Sequence, residues 1–132
     1  MYFLDTDTCI YSLKGKYPNI QTQISKTKPS KIKIASIVKA ELLLGARKSD
    51  NPKKTLKIVE AFLSPFEIIG FCSESSTHYA EIRGTLEEKE NIIGPNDLIL
   101  ASTVSANRGI LVSHNIKEFS RVKGLKLEDW AK

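Results

Sequence analysis

Three carboxylates stand where the surrounding pattern is apolar. Asp5 ends the run MYFL, Glu41 interrupts IVKAELLLGA, and Asp97 precedes LILA. Asp7 follows Asp5 by two residues. A carboxylate buried alone is costly to keep ionised, and several brought together repel one another. A divalent cation removes both penalties, and Mg2+ or Mn2+ suits a set of hard oxygen ligands. A metal centre is therefore one chemistry these residues could serve. An aspartate nucleophile with a neighbouring acid/base, Asp5 with Asp7, is another.

Each acid also has an ordinary use. Asp5 or Asp7 could cap a helix starting near Thr8. Glu41 could pair with a basic side chain across the core. Asp97 could favour the positive end of its helix. Asn115 and Glu118 have the spacing of a capping box. His114 lies beside these groups without a partner that can be named from the sequence, and His78 reads as a surface residue.

The elements that must position these side chains follow from periodicity. Met1 to Leu4 form an apolar run, as in a short strand buried on both faces. A helix from about Thr8 carries Ile10, Tyr11 and Leu13, and Pro18 and Pro29 punctuate the stretch after it. KIKIAS alternates and predicts a strand ending near Ala35. Ser36 is placed to cap the helix IVKAELLLGARKS, on which Glu41 shares a face with Ile37, Ala40 and Leu44 and should point inward or into a cleft. Pro52 opens a helix whose apolar side carries Leu56, Val59, Phe62 and Leu63. FEIIGF is a strand and SSTHYAEIRGTLEEKEN a helix. Pro95 begins a further helix that ends before Gly109. ILVS is a fourth strand, and LKL a short fifth at an edge. Strands alternating with helices predict an α/β layer structure around a mostly parallel sheet of four to five strands. In such sheets sites form beyond the carboxyl ends of the strands. Asp5 and Asn115 both fall there.

A chain of 132 residues predicts a single domain spanning residues 1–132, large enough to bury a core without disulfides. Cys9 and Cys72 lack metal-site spacing and read as buried thiols. No stretch approaches a membrane span, and the amino terminus lacks the pattern of a signal peptide, so a cytoplasmic location is expected. The net charge is +5. Basic residues gather at Lys26, Lys28, Lys31 and Lys33, and again at Arg47, Lys48, Lys53, Lys54 and Lys57. Such faces suit a phosphate backbone, although no aromatic residues are interleaved with them for base stacking, and a solvated lysine-rich face explains them equally.

Taken together, FLDTDTCIYSLK, SIVKAELLLGARKS, IGPNDLILA and LVSHNIKEFSRVKGLKLEDW resemble the PIN-domain family, and within it the VapC-type toxins of bacterial toxin–antitoxin pairs. The resemblance covers essentially the whole chain. It implies a small three-layer α/β fold and a Mg2+- or Mn2+-dependent endoribonuclease that inhibits translation, often by cutting transfer RNA. It implies a homodimer and a cognate VapB-type antitoxin that occludes the site. It also implies products with a 5′-phosphate and a 3′-hydroxyl. Asp5, Glu41 and Asp97 match the family's first three acids, with Asp5 and Asp97 as direct metal ligands and Glu41 binding directly or through water. The chain departs from the pattern twice. Asp7 replaces a usual asparagine, and the last motif reads Ser113, His114, Asn115. The fourth acidic position is therefore left open between Asn115, as a neutral ligand or water anchor, and Glu118, as the source of a carboxylate.

Two rivals remain at this level. FLDTDTC resembles the opening motif of haloacid-dehalogenase-type phosphatases, which would make Asp5 a nucleophile, but GPND leading straight into a helix matches their later acidic motif poorly. A PIN-like module that binds RNA or protein without catalysis is the other, since fold does not fix function.

Overall fold

The apolar runs become five parallel strands. In the computed structural model, which describes residues 1–132, β1 (Tyr2–Leu4), β2 (Ile32–Ala35), β3 (Glu67–Ile69), β4 (Ile110–Val112) and β5 (Lys126–Glu128) lie in the order β3-β2-β1-β4-β5. Tyr2 sits opposite both Ile32 and Ile110, which sets the register of the central three strands. Phe3, Leu4, Ile32, Ile34, Leu111 and Val112 are fully buried. Strands covered on both faces require that pattern, and it is why β1 and β4 read as apolar runs, while β2 alternates through half-buried Lys33. The expected α/β architecture is present, with the fifth strand at an edge.

Seven helices flank the sheet: α1 (Thr6–Lys14), α2 (Pro18–Lys26), α3 (Ser36–Arg47), α4 (Pro52–Leu63), α5 (Ser73–Glu88), α6 (Pro95–Ala106) and α7 (Ile116–Phe119). A single 3-10 turn, Pro29–Lys31, leads into β2. The chain runs from β1 outward to β2 and β3, then crosses back over to β4 and β5. Right-handed crossovers in opposite directions assign the two sets of helices to opposite faces. The reversal leaves a crevice beyond the carboxyl ends of β1 and β4, the place where open α/β sheets build their sites. No helix is long and apolar enough to cross a membrane.

Local chemistry explains most element ends and corrects several expectations. α1 starts at Thr6, not near Thr8, because Asp5 is its cap: the Asp5 carboxylate accepts the Thr8 N–H at 2.8 Å. Asp7 lies within the helix and caps nothing. Gly15 ends α1 in the left-handed region (φ 69°), where its N–H reaches the Tyr11 and Ser12 carbonyls. The stretch after Pro18 is helical: Pro18 occupies its first turn, and Ile20 is buried with Ile24 four residues on. Ser36 does not cap α3. It is that helix's first residue, and its hydroxyl donates to the Ile69 carbonyl at 3.4 Å. Asn51, ahead of Pro52, caps α4 by accepting the Lys54 N–H.

On α3 the buried face is Val38, Leu42 and Ala46. The Ile37–Glu41–Leu44 side is only half covered, and Leu44 is 54% exposed. Glu41 therefore points to a flank rather than into the core. Of the cysteines, only Cys9 is buried; Cys72 is exposed, and both are free thiols.

Candidate metal centre

Five segments meet at the carboxyl end of the sheet. β1 delivers Asp5, whose backbone N–H extends the ladder to the Val112 carbonyl at 3.0 Å. β4 delivers Ser113 and Asn115. α3 brings Glu41, and the first turn of α6 brings Asn96 and Asp97. α7 brings Glu118.

Asp5 is 6% exposed. Burial raises its pKa above the ordinary carboxylate value, against hydrogen bonds from Ser113 and Thr8 that favour the ionised form, while the charge of Asp7 adds to the rise. Asp97 is half-buried and is raised as well. Burial, a hydrogen bond with Glu118, and the charges of Glu118, Glu41 and Asp5 together push it up to about 7. Glu118 moves the other way. Burial works to raise it, but hydrogen bonds from the Asn115 side chain, the Gly94 N–H and Asp97 outweigh that and lower it. Without a cation, then, Asp97 is the more readily protonated of the two.

Neutral donors hold these carboxylates in place. Thr6 Oγ1 donates to Glu41 Oε1 at 2.6 Å, and Asn96 Nδ2 donates to Glu41 Oε2 at 3.2 Å, so α1 and α6 both tether the acid of α3. Asn115 Nδ2 donates to Glu118 Oε2 at 2.8 Å and the Gly94 N–H to Glu118 Oε1 at 3.3 Å. The capping box predicted at Asn115 and Glu118 does not form, because the Glu118 side chain turns toward α6 and makes no contact with the Asn115 backbone N–H. Ser113 Oγ accepts the Asn115 N–H at 2.9 Å while its hydroxyl serves Asp5.

What is missing is an ion pair, although the charge of Arg121 helps to lower Glu118. The three ion pairs of the molecule are Lys33–Glu67, Arg83–Glu87 and His114–Asp129. None involves Asp5, Glu41, Asp97 or Glu118. The cross-core pairing considered for Glu41 is therefore not made. Asp7 is exposed on α1 beside Asp5 and contributes charge rather than a contact.

Gathered carboxylates that form no ion pair fit a hard divalent cation. No group of three or more Asp, Glu, His or Cys side chains is placed to hold a metal ion by itself; Mg2+ takes as few as one or two protein carboxylates, with waters and substrate phosphates completing its shell. Thr6, Asn96 and Ser113 were not assigned by sequence reasoning. The only signal available was their position one or two residues from an acid or from Asn115.

Comparison with known proteins follows the same geometry. The family model described as PIN domain matches residues 2–125. The chain is 40% identical over 136 residues to ribonuclease VapC2 of Rickettsia felis, spanning 100% of this chain and 99% of that protein. It is 34% identical over 129 residues to the tRNA(fMet)-specific endonuclease VapC of Salmonella typhimurium, spanning 98% and 97%. Among solved structures, a chain of VapBC2 from Rickettsia felis bound to a DNA fragment from their promoter superposes with a TM-score of 0.91 at 38% identity, covering 98% of each chain.

Proposed function

This chain belongs to the PIN-domain family, and from that premise we propose that it is a VapC-type ribonuclease toxin, a metal-dependent endonuclease hydrolysing RNA phosphodiester bonds. Transfer RNA is the substrate class, cutting it inhibits translation in the cytoplasm, and a VapB-type antitoxin holds the activity in check. The whole chain acts as one PIN domain within a toxin homodimer. The observation that carries the reading is the set of four gathered carboxylates, none of which forms an ion pair.

Asp5 and Asp97 are the direct ligands for Mg2+ or Mn2+, and Glu41 binds directly or through water. When bound, the cation supplies Lewis-acid stabilisation of the phosphate and makes water a competent nucleophile at neutral pH. Thr6 and Asn96 fix the Glu41 carboxylate from both sides. Asn115 and the Gly94 N–H hold Glu118 against Asp97, so Glu118 fills the fourth acidic position and Asn115 serves as a neutral donor. Ser113 fixes Asp5. Water adds across the P–O3′ bond, leaving a 5′-phosphate and a 3′-hydroxyl. The exposed Lys26, Lys28 and Lys31, at and after the end of α2, and the exposed Lys53, Lys54 and Lys57 of α4 hold the RNA backbone by charge, so binding weakens with salt.

A groove between α1, α3 and α4 adjoins Glu41. It has a volume of about 440 Å3 and is lined by Ile10, Leu13, Leu42, Ile58 and Val59 among others. An antitoxin segment seated there would cover the approach to Glu41.

The test is cleavage of purified transfer RNA, with RNA ends sequenced after brief incubation. The parent protein with Mg2+ or Mn2+ should give discrete new 5′-phosphate ends. Asp97→Asn, or the parent in excess EDTA, should give none. Full cleavage by either would overturn the metal role, and no cleavage by a folded, metal-loaded parent would favour a binding module.

A further inference from the structure

One cluster beside the acids has no part in holding a cation. Tyr11 of α1, Tyr17 of the α1–α2 link and His114 of the loop after β4 bring three rings together. The Tyr11 and Tyr17 centroids are 5.1 Å apart at 75°, Tyr17 and His114 5.0 Å apart at 48°, and Tyr11 and His114 6.3 Å apart at 80°. Lys16 places its ammonium 5.1 Å from the Tyr11 ring centre and 5.3 Å from that of Tyr17. The two tyrosines are half-buried at the edge of the core and the His114 side chain is 39% exposed, so the cluster keeps ring surface open to solvent.

Three features show a cluster held in a set arrangement. His114 Nδ1 lies 2.9 Å from Asp129 Oδ2, and the Asp129 side chain is only 8% exposed. Asp129 is itself fixed by accepting the Ala131 N–H at 2.9 Å. With Nδ1–H donated to Asp129, His114 Nε2 is left to meet an outside group. Tyr17 has φ 57°, a left-handed backbone that a bulky aromatic residue rarely adopts. Such strain persists where the surroundings over-determine it, and that is most common at functional positions.

The location supplies the partner. His114 stands between Ser113, which holds Asp5, and Asn115, which holds Glu118. Tyr11 lies one helical turn after Asp7, and burial together with the charges of Asp7, Tyr17 and Asp5 raises its hydroxyl pKa. The loop that carries the donors to Asp5 and Glu118 thus also carries the ring cluster, so a nucleic acid at the acids would run beside these rings.

We propose that Tyr11, Tyr17 and His114, with Lys16, form the platform on which the RNA base next to the cleaved phosphate stacks. The proposal rests on the ribonuclease reading above. Unstacked bases of single-stranded RNA are recognised in this way, by aromatic faces together with hydrogen bonds to base edges, and stacking tolerates any base because each has a π-face. Tyr17 and Tyr11 supply faces, His114 Nε2 a hydrogen-bonding edge, and Lys16 a charge for the flanking phosphate.

The test is binding of fluorescently labelled ten-nucleotide RNAs in EDTA, where no cleavage intervenes, read by anisotropy. Oligoadenosine is compared with a fully abasic oligomer of the same charge. The parent should bind oligoadenosine roughly 10-fold more tightly than the abasic strand, the range set by one stacked base. Tyr17→Leu, which keeps apolar bulk, should lose most of that difference. Tyr17→Phe should keep it, and His114→Ala should reduce it in part. Thermal unfolding of each variant shows that it is folded. Equal binding of the two strands by the parent, or an undiminished preference in folded Tyr17→Leu and His114→Ala, would overturn the platform. Cleavage of RNA with Mg2+ is scored separately. A parent that cleaves but ignores bases refutes the platform alone, whereas one that prefers bases but never cleaves refutes the nuclease and leaves the platform standing.

Discussion

The two ends of the sheet both gather charges of one sign, and they treat them differently. At the amino end a cleft of about 410 Å3 is lined by His78, Arg108, Lys123 and Lys126, with Glu81 beside them. Its cations, Arg108, Lys123 and Lys126, are long, exposed side chains. At the carboxyl end Asp5 is buried and Glu41, Asp97 and Glu118 are half-buried. Clustering of like charge has large consequences only where water is excluded, because solvent screens the rest. That is why Asp97 is pushed up to about 7. The amino end can be understood as packing with a solvated rim. The carboxyl end cannot, since neutral hydrogen bonds orient its carboxylates but do not neutralise them.

The sharpest break between the ends is catalytic. Asp5→Asn or Asp97→Asn should reduce RNA cleavage to background, as should EDTA for the parent, while Lys123→Ala at the other end should leave the rate at the parent's level. Timed cleavage of transfer RNA on denaturing gels reads all four. Removing the tether of Glu41 by Asn96→Ala should cost roughly 10–100-fold in activity, the usual penalty for a group that orients a ligand. A rate equal to the parent's would mean that Glu41 needs no orientation.

The amino end should instead respond through packing. Gly109 is buried against β1, and a Cβ there would lie 2.7 Å from two ring atoms of fully buried Phe3. Gly109→Ala should therefore destabilise by ~1–3 kcal/mol in urea unfolding, the cost of overpacking a core.

The carboxyl end predicts the opposite sign. A carboxylate whose folded pKa is raised supports the fold fully below its unfolded value and loses that support as pH rises through the folded value. For Asp97 the window runs from the ordinary carboxylate value of 3.8 to about 7. Asp97→Asn should thus be more stable than the parent at pH 8 in EDTA, by ~1 kcal/mol once screening at a half-exposed group is allowed for. The gain should vanish near pH 4. Thermal melts at the two pH values decide it, and an Asn variant less stable than the parent at pH 8 would show that the acids are not in conflict.

The smallest effect belongs to Arg108, which follows α6 with φ 54°, a position that commonly holds glycine. Arg108→Gly should raise stability by no more than ~1 kcal/mol and leave cleavage unchanged.

Much of this was legible along the chain. Apolar runs bounded by Pro and Gly located the strands and most helices, because such signals act through neighbours a few residues apart. The misplaced acids drew attention for the same reason, since Asp5, Glu41 and Asp97 each break a local pattern. The helix after Pro18 escaped because its turn residues masked a short apolar spacing. The capping box at Asn115 was a sound local inference that lost to a stronger partner, Asp97, eighteen residues before it in sequence.

What only the tertiary structure decided was which side chains meet. Sequence spacing determined that the chain is α/β, where its strands end, and which carboxylates are out of place. The strand order decided that Asp5, Glu41, Asp97 and Glu118 share one end, that neutral donors hold them, that Asp5 both caps α1 and faces that end, and that His114 finds Asp129 and two tyrosines. The physical reason is range. Helix and strand propensities are set within a turn or two, whereas the crevice exists only because the chain reverses direction at β1 and brings together segments up to about a hundred residues apart.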